Sequence, residues 1–217
     1  MLFISGLMCK RIQFLDALRG FCIILVIAYH CGINLVTWGY LPAGAVNNLA
    51  LNILQPFFAG VFIVLAGVSS RFSRSNLKRG FQLLGCAALV TAASLIAGVP
   101  IWFGILHLLA SCVLLYTFLG KLTAPAALLG AFFALYFNLT VWPDVPSADY
   151  FPLLPWGFLF FLGVWLGGPI REGKFPSWFY EVEIPVFPAI GRKTLLIYLL
   201  HQPVMYGILW LAETFIG

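Results

Sequence analysis

The chain has 217 residues, of which 62% are hydrophobic and only 9% charged, and its mean hydropathy is +1.02. Soluble domains carry about 25% charged residues, so this composition excludes a soluble globular protein and indicates an integral membrane protein. The net charge of +5 is then a feature of membrane topology, and we expect no nucleic-acid partner.

Residues 1–10 form a mostly apolar segment that is too short to span a bilayer and lacks a small-residue cleavage site, so we expect an interfacial N-terminal piece. Beyond it, apolar stretches of about 17–25 residues predict seven spans. They are expected at Leu15–Val36, Asn52–Ser70, Gly80–Val99, Ile101–Gly120, Ala124–Trp142, Pro152–Pro169 and Thr194–Ile216. The tight Val99-Pro100 joint makes the third and fourth spans a helical hairpin. The expected fold is an all-α bundle of about seven transmembrane helices, in one domain that covers residues 1–217.

The basic residues predict how this bundle is oriented. All twelve Lys and Arg lie on one side of it: Lys10, Arg11, Arg19, Arg71, Arg74, Lys78, Arg79, Lys121, Arg171, Lys174, Arg192 and Lys193. The opposite loops hold Asp144 and Asp149 and no basic residue. Because cytoplasmic loops are enriched in Lys and Arg, we expect the N-terminus in the cytoplasm and the C-terminus outside.

The first span carries a polar stripe. Asp16 and Arg19 stand at its foot and His30 near its top, with Asn34 one turn beyond His30. Arg19 and His30 are about 20° from alignment and ~16 Å apart along a helix axis. Two other interpretations remain open: Asp16 and Arg19 mark only the entry of the helix into the headgroups, and His30 makes only a helix–helix hydrogen bond.

All three histidines of the protein fall within predicted spans. His30 and His107 are each expected ~9 Å below the outer face, and His201 ~12 Å in from the cytoplasmic end. A titratable side chain inside a membrane is costly and usually faces a cavity or the bundle interior. We therefore expect the three imidazoles to converge on one water-accessible cavity, the alternative being three separate packing histidines.

Four stretches together resemble the short prokaryotic relatives of heparan-alpha-glucosaminide N-acetyltransferase. They are Asp16-Ala-Leu-Arg-Gly20 with His30, Phe103-Gly-Ile-Leu-His107, Asp149-Tyr-Phe-Pro-Leu-Leu-Pro-Trp156 and Gly191-Arg-Lys-Thr-Leu-Leu-Ile-Tyr-Leu-Leu-His-Gln-Pro203. The pattern of Arg19, ten residues and His30 also resembles the wider superfamily of membrane acyltransferases that O-acylate bacterial surface sugars. The resemblance spans roughly residues 11 to 210. It implies a transmembrane acyltransferase of the prokaryotic cytoplasmic membrane, with Arg19 and His30 as the matching pair.

Acyl transfer from a thioester requires a base for the proton of the nucleophile and donors for the developing oxyanion. Histidine suits the first role, or attacks the thioester itself and carries the acyl group. We therefore predict three catalytic residues: His30, His107 and Arg19. The predicted substrate contacts are Asn34, Asn52, Gln55, Asp149, His201 and Gln202.

The donor expected from the resemblance is acetyl-CoA or another acyl-CoA, a cytosolic polyanion. The predicted donor contacts are Arg71, Arg74, Lys78, Arg79, Arg192 and Lys193, which also determine the topology. The expected acceptor is a hydroxyl or amine of an extracytoplasmic sugar, small or lipid-linked. We expect no metal, and we leave a homodimer open.

Two other classes of function fit the same residues. One is a transporter or channel for a small solute or lipid that uses the histidines as a proton relay. The other is a haem-binding membrane protein with intramembrane histidines as axial ligands.

Overall fold

The computed structural model describes residues 11–120 and 149–216. We number its helices in chain order as α1 Gln13–Thr37, α2 Leu49–Ser70, α3 Asn76–Ile96, α4 Ile105–Leu119, α5 Leu153–Arg171, α6 Ser177–Glu181, α7 Phe187–Arg192 and α8 Thr194–Ile216. A 3-10 turn at Ala43–Ala45 and an isolated bridge between Phe103 and Tyr150 complete the regular structure of this part. The N-terminal piece at residues 1–10, the span predicted at Ala124–Trp142 and Asp144 lie outside the described residues.

The expected all-α class is confirmed for the described residues. Four of their helices, α1, α2, α3 and α8, are long and apolar enough to cross a membrane. α4 is apolar but has 15 residues. α5 has 19 residues, and the extended backbone of Leu154 (φ −109°, ψ 127°) interrupts its first turn. The number of seven spans and the orientation of the termini stay predictions.

The hairpin of α3 and α4 differs from its predicted form. The two helices pack against each other, but residues 97–104 connect them, rather than the Val99-Pro100 joint alone. Thr91 donates its hydroxyl to the Ile101 carbonyl at 2.8 Å, and Ser94 accepts from the Ile101 N–H at 3.0 Å. These bonds keep the first residues of the predicted fourth span outside helix α4. His107 is therefore the third residue of α4, closer to the helix start than the span predicted at Ile101–Gly120 had placed it. Its expected depth in the membrane stays a prediction.

Packing divides the described residues into two units. The first comprises residues 63–120 and 149–175, and the second comprises residues 11–62 and 176–216. In the first unit, α2 and α5 meet backbone to backbone. A Cβ atom on Gly67 would overlap the carbonyl oxygen of Phe160, and one on Gly163 would overlap that of Val64. Small residues allow membrane helices to cross this closely, and the glycines of α5 have that role here.

In the second unit, α1 crosses α7 in the same manner. A Cβ atom on Gly20 would overlap the carbonyl oxygen of Phe187, and one on Gly191 would overlap that of Asp16. Thr194 donates to the Gly191 carbonyl at 2.5 Å, which links the end of α7 to the start of α8. α8 also packs against α1. This arrangement brings the polar stripe of α1 against the eighth residue of α8, His201.

Candidate active site

His30 of α1 and His201 of α8 form a pair in the second unit. Their ring centroids are 5.2 Å apart and their planes are tilted by 55°. His201 is 9% exposed and His30 is half-buried. The Nδ1 atom of His201 lies 2.5 Å from the carbonyl oxygen of Tyr198, whereas its Nε2 atom is buried and has no hydrogen-bond partner among the described residues. The structure thus joins two of the three predicted histidines.

A polar contact adjoins this pair. Asn34 donates its Nδ2 to the Oε1 atom of Gln202 at 2.9 Å, and the same nitrogen lies 3.8 Å from the sulfur of Met205. Asn34 is 3% exposed. Since Asn34 follows His30 by one turn and Gln202 follows His201 directly, this bond ties α1 to α8 beside the two imidazoles. The amide of Asn34 is therefore engaged in helix pairing.

His107 lies in the first unit, at the start of α4. Its Nε2 atom is 3.3 Å from the hydroxyl of Thr91 on α3, and its ring is 5.6 Å from that of Phe103. Because the Thr91 hydroxyl hydrogen goes to the Ile101 carbonyl, Nε2 of His107 is the donor in this contact. His107 thereby fastens α4 to α3. The expected convergence of all three histidines stays a prediction, since His107 belongs to a different unit from the pair.

Asp149, a predicted substrate contact, lies at the N-terminus of α4. Its Oδ2 atom accepts from the backbone N–H of Ile105 at 3.4 Å, and a Cβ atom on Gly104 would come within 2.8 Å of the same oxygen. A carboxylate is favourable at a helix N-terminus, where backbone N–H groups lack partners. The nearby Phe151 N–H donates to the Phe103 carbonyl at 2.8 Å. Asp149 therefore has a clear structural role in starting α4.

Arg19, a predicted catalytic residue, pairs with Asp16. Its Nη1 atom is 3.0 Å from Oδ1 of Asp16, whose residue is only 5% exposed, and Arg11 approaches the other carboxylate oxygen at 3.9 Å. A buried carboxylate requires a partner, so Arg19 compensates the charge of Asp16. Of the predicted contacts on α2, Asn52 is exposed and Gln55 is half-buried.

Arg71, a predicted donor contact, lies in a slot of the first unit. Its Nη1 atom donates to the Tyr116 hydroxyl at 3.3 Å, while its Nε atom is buried without a partner in the described part of the chain. A Cβ atom on Gly167 would approach the Cγ atom of Arg71 to 2.7 Å, so this glycine makes room for the arginine stem. The exposed Glu172 pairs with Lys174 at 2.6 Å, and this hydrogen bond lowers the pKa of the Glu172 carboxyl from its ordinary value.

The other basic residues fall into two groups. Arg79 donates to the Ser70 hydroxyl at 3.1 Å and to the Ala66 carbonyl at 3.4 Å, and Arg171 donates to the Arg71 carbonyl at 3.0 Å. These bonds attach Arg79 and Arg171 to the C-terminal end of α2 and to the residue that follows it. The exposed group is Arg74, Lys78, Arg192 and Lys193. Arg192 and Lys193 belong to the second unit and the remaining predicted donor contacts to the first.

The family description "Heparan-alpha-glucosaminide N-acetyltransferase, catalytic" matches residues 11–203. The chain belongs to this family. No curated protein and no solved structure matches the chain. Membership confirms the resemblance and implies a membrane enzyme of the acetyltransferase type. The matched residues include His30, His107 and the dipeptide His201-Gln202.

Each histidine of the pair also packs against a tyrosine ring. His30 contacts Tyr29 at a centroid distance of 5.9 Å, and His201 contacts Tyr198 at 5.3 Å. The haem interpretation stays a hypothesis.

Three structural contributors were not predicted. Tyr198 orients His201 through its carbonyl, and the spacing of three residues on one helix was a usable signal. Thr91 holds His107 across two helices, for which the sequence carries no signal. Gly167 makes room for Arg71, and the glycines of α5 indicated only close packing in general.

Proposed function

We propose that this family member moves the acetyl group of cytosolic acetyl-CoA to a hydroxyl or amine of an extracytoplasmic sugar-type acceptor, small or lipid-linked. The observation that carries the proposal is the His30–His201 pair, two imidazoles side by side in the matched region of an acetyltransferase family. Such a pair is costly in an apolar bundle, and its chemistry matches what the reaction demands.

The reaction needs one bond exchange and one proton relay. The oxygen or nitrogen of the acceptor bonds to the acetyl carbon while the C–S bond of the thioester breaks. The proton of the acceptor passes to an imidazole and from there to the CoA thiolate, which leaves as the thiol. An alternative order places the acetyl group first on an imidazole nitrogen and then on the acceptor. Both orders use the same two histidines.

Among the basic residues of the first unit, we assign donor recognition to Arg71. CoA carries several phosphate charges, and guanidinium groups bind phosphate through paired charge-assisted hydrogen bonds. Arg71 is the best placed of these residues, because Gly167 and Tyr116 hold its stem and one terminal nitrogen while Nε stays unpaired among the described residues. Arg74, three residues further along the chain, is exposed, so Arg74→Gln serves as the matched control.

The test measures thiol release and acetylated product from acetyl-CoA by purified protein in nanodiscs, with a panel of amino sugars and lipid-linked sugars as acceptors. His30→Ala is expected to lower turnover by about 100- to 10,000-fold, the usual loss when a general acid–base group is removed. Cys31→Ala, at the exposed neighbouring position on α1, is the control and keeps turnover. Near-wild-type turnover by His30→Ala would remove His30 from the chemistry.

A donor-binding arm completes the experiment. Arg71→Gln is expected to weaken CoA binding by about tenfold or more, because one charged contact of this kind contributes about 1.5–3 kcal/mol. Arg74→Gln is expected to leave CoA binding within about twofold of wild type. Wild-type protein that binds no acetyl-CoA and releases no thiol contradicts the proposal. Uptake of a sugar into vesicles without consumption of acetyl-CoA would establish the transporter instead.

A further inference from the structure

His201 is held in one orientation. Its Nδ1 atom lies 2.5 Å from the Tyr198 carbonyl oxygen, one turn earlier on α8. A carbonyl oxygen only accepts hydrogen bonds, so Nδ1 carries the proton, and Nε2 of the neutral ring is then a lone-pair acceptor. The ring also packs against those of Tyr198 and His30, at centroid distances of 5.3 and 5.2 Å. Nδ1 of His201 is therefore fixed by the Tyr198 carbonyl, and Nε2 has its lone pair available.

The Nε2 nitrogen has no hydrogen-bond partner in the described part of the chain. Nε2 of His201 is buried, and the residue as a whole is 9% exposed. Burial of a polar atom without a partner is destabilising, and such an atom in a folded protein points to a bound molecule or a reaction. Histidines that act as bases are oriented in this way, with the second nitrogen bonded to a carbonyl or carboxylate.

We propose that His201 is the proton acceptor of the acyl-transfer site, a role that rests on the proposed function. Its Nε2 takes the proton from the hydroxyl or amine of the acceptor as that atom bonds to the acetyl carbon. The C–S bond breaks, and Nε2 returns the proton to the CoA thiolate. His30, on the facing helix, packs its ring against that of His201 and belongs to the same proton relay. Tyr198 is a positioning residue, because its carbonyl selects the nitrogen that reacts.

Two substitutions separate this role from simple hydrogen bonding. In His201→Asn the amide nitrogen replaces Nδ1 and keeps the bond to Tyr198, whereas in His201→Gln the amide group reaches the position of Nε2. Neither amide can accept a proton at neutral pH. Each variant is expected to lose about 100-fold or more of acetyl turnover while CoA binding stays within about twofold of wild type. Turnover of His201→Gln within about tenfold of wild type would overturn the role of His201 as proton acceptor, since a hydrogen bond from an amide would then be sufficient for catalysis.

A measurement that is independent of turnover covers variants that fail to fold. NMR of wild-type protein labelled with 15N-histidine, compared with His201→Asn, identifies the His201 signals and the protonated nitrogen. A proton on Nδ1 supports the proposal, and a proton on Nε2 overturns it because the reacting nitrogen is then occupied. Wild-type protein without any acetyl transfer overturns both proposals, whereas an active wild type with an active His201→Gln overturns only the role of His201.

Discussion

The Asn34–Gln202 hydrogen bond offers a quantitative test of how α1 and α8 are held together. Its Nδ2–Oε1 distance is 2.9 Å and Asn34 is 3% exposed, so water does not compete for the amide in the folded protein. Side-chain hydrogen bonds between membrane helices contribute about 0.6 kcal/mol on average and about 1.7 kcal/mol at most in double-mutant cycles. The short distance and the deep burial place this bond in the upper part of that range.

The perturbation is a double-mutant cycle of Asn34→Leu and Gln202→Met, which keep the side-chain volumes close to the originals. Each single substitution leaves a half-paired amide and is expected to cost about 1–3 kcal/mol. The double variant is expected to cost less than the sum of the two by about 1–1.5 kcal/mol. For a chain of this length, 1 kcal/mol corresponds to about 2–4 °C in Tm.

The assay is thermal unfolding in one detergent at fixed protein concentration, followed by a turnover measurement on the same samples. Thr37→Ala is the control, because the Thr37 hydroxyl donates to the Ile33 carbonyl of the same helix, on an exposed part of α1. It should change stability by less than about 0.5 kcal/mol. A coupling energy of zero within error would refute the reasoning that this bond fixes the two helices that carry His30 and His201.

Three further predictions concern other parts of the chain. Arg19→Ala is expected to lower the yield of folded protein more than its turnover, since it leaves the buried Asp16 carboxylate without its nearest cation; a yield of folded protein equal to wild type would contradict this. Thr91→Val should reduce Tm by about 2–6 °C because it removes the acceptor of His107 and the donor to Ile101, and an unchanged Tm would show that these bonds are dispensable. The charge asymmetry predicts that a cysteine at Ser75 is labelled only after permeabilisation of cells, whereas one in the loop between the fifth and sixth predicted spans is labelled in intact cells.

Local properties of the chain were enough to predict the class of the protein and most of its described helices. Apolar stretches of spanning length and the scarcity of charge are local properties, and they placed α1, α2, α3 and α8 within a few residues of their observed bounds. Turn geometry was less accessible. The hydrogen bonds of Thr91 and Ser94 that extend the α3–α4 connection depend on atoms brought together only by folding. The position of His107 close to the start of α4 was not predicted for that reason.

The site shows the same division. Composition predicted that imidazoles inside a membrane have a function, but hydrophobic periodicity could not indicate which of them meet, because a helix face is compatible with many neighbours. The tertiary structure decided that His201 pairs with His30, through the glycine crossing of α1 with α7 and the packing of α8 on α1. It also decided which nitrogen of His201 is presented, since that choice depends on a single backbone carbonyl one turn away.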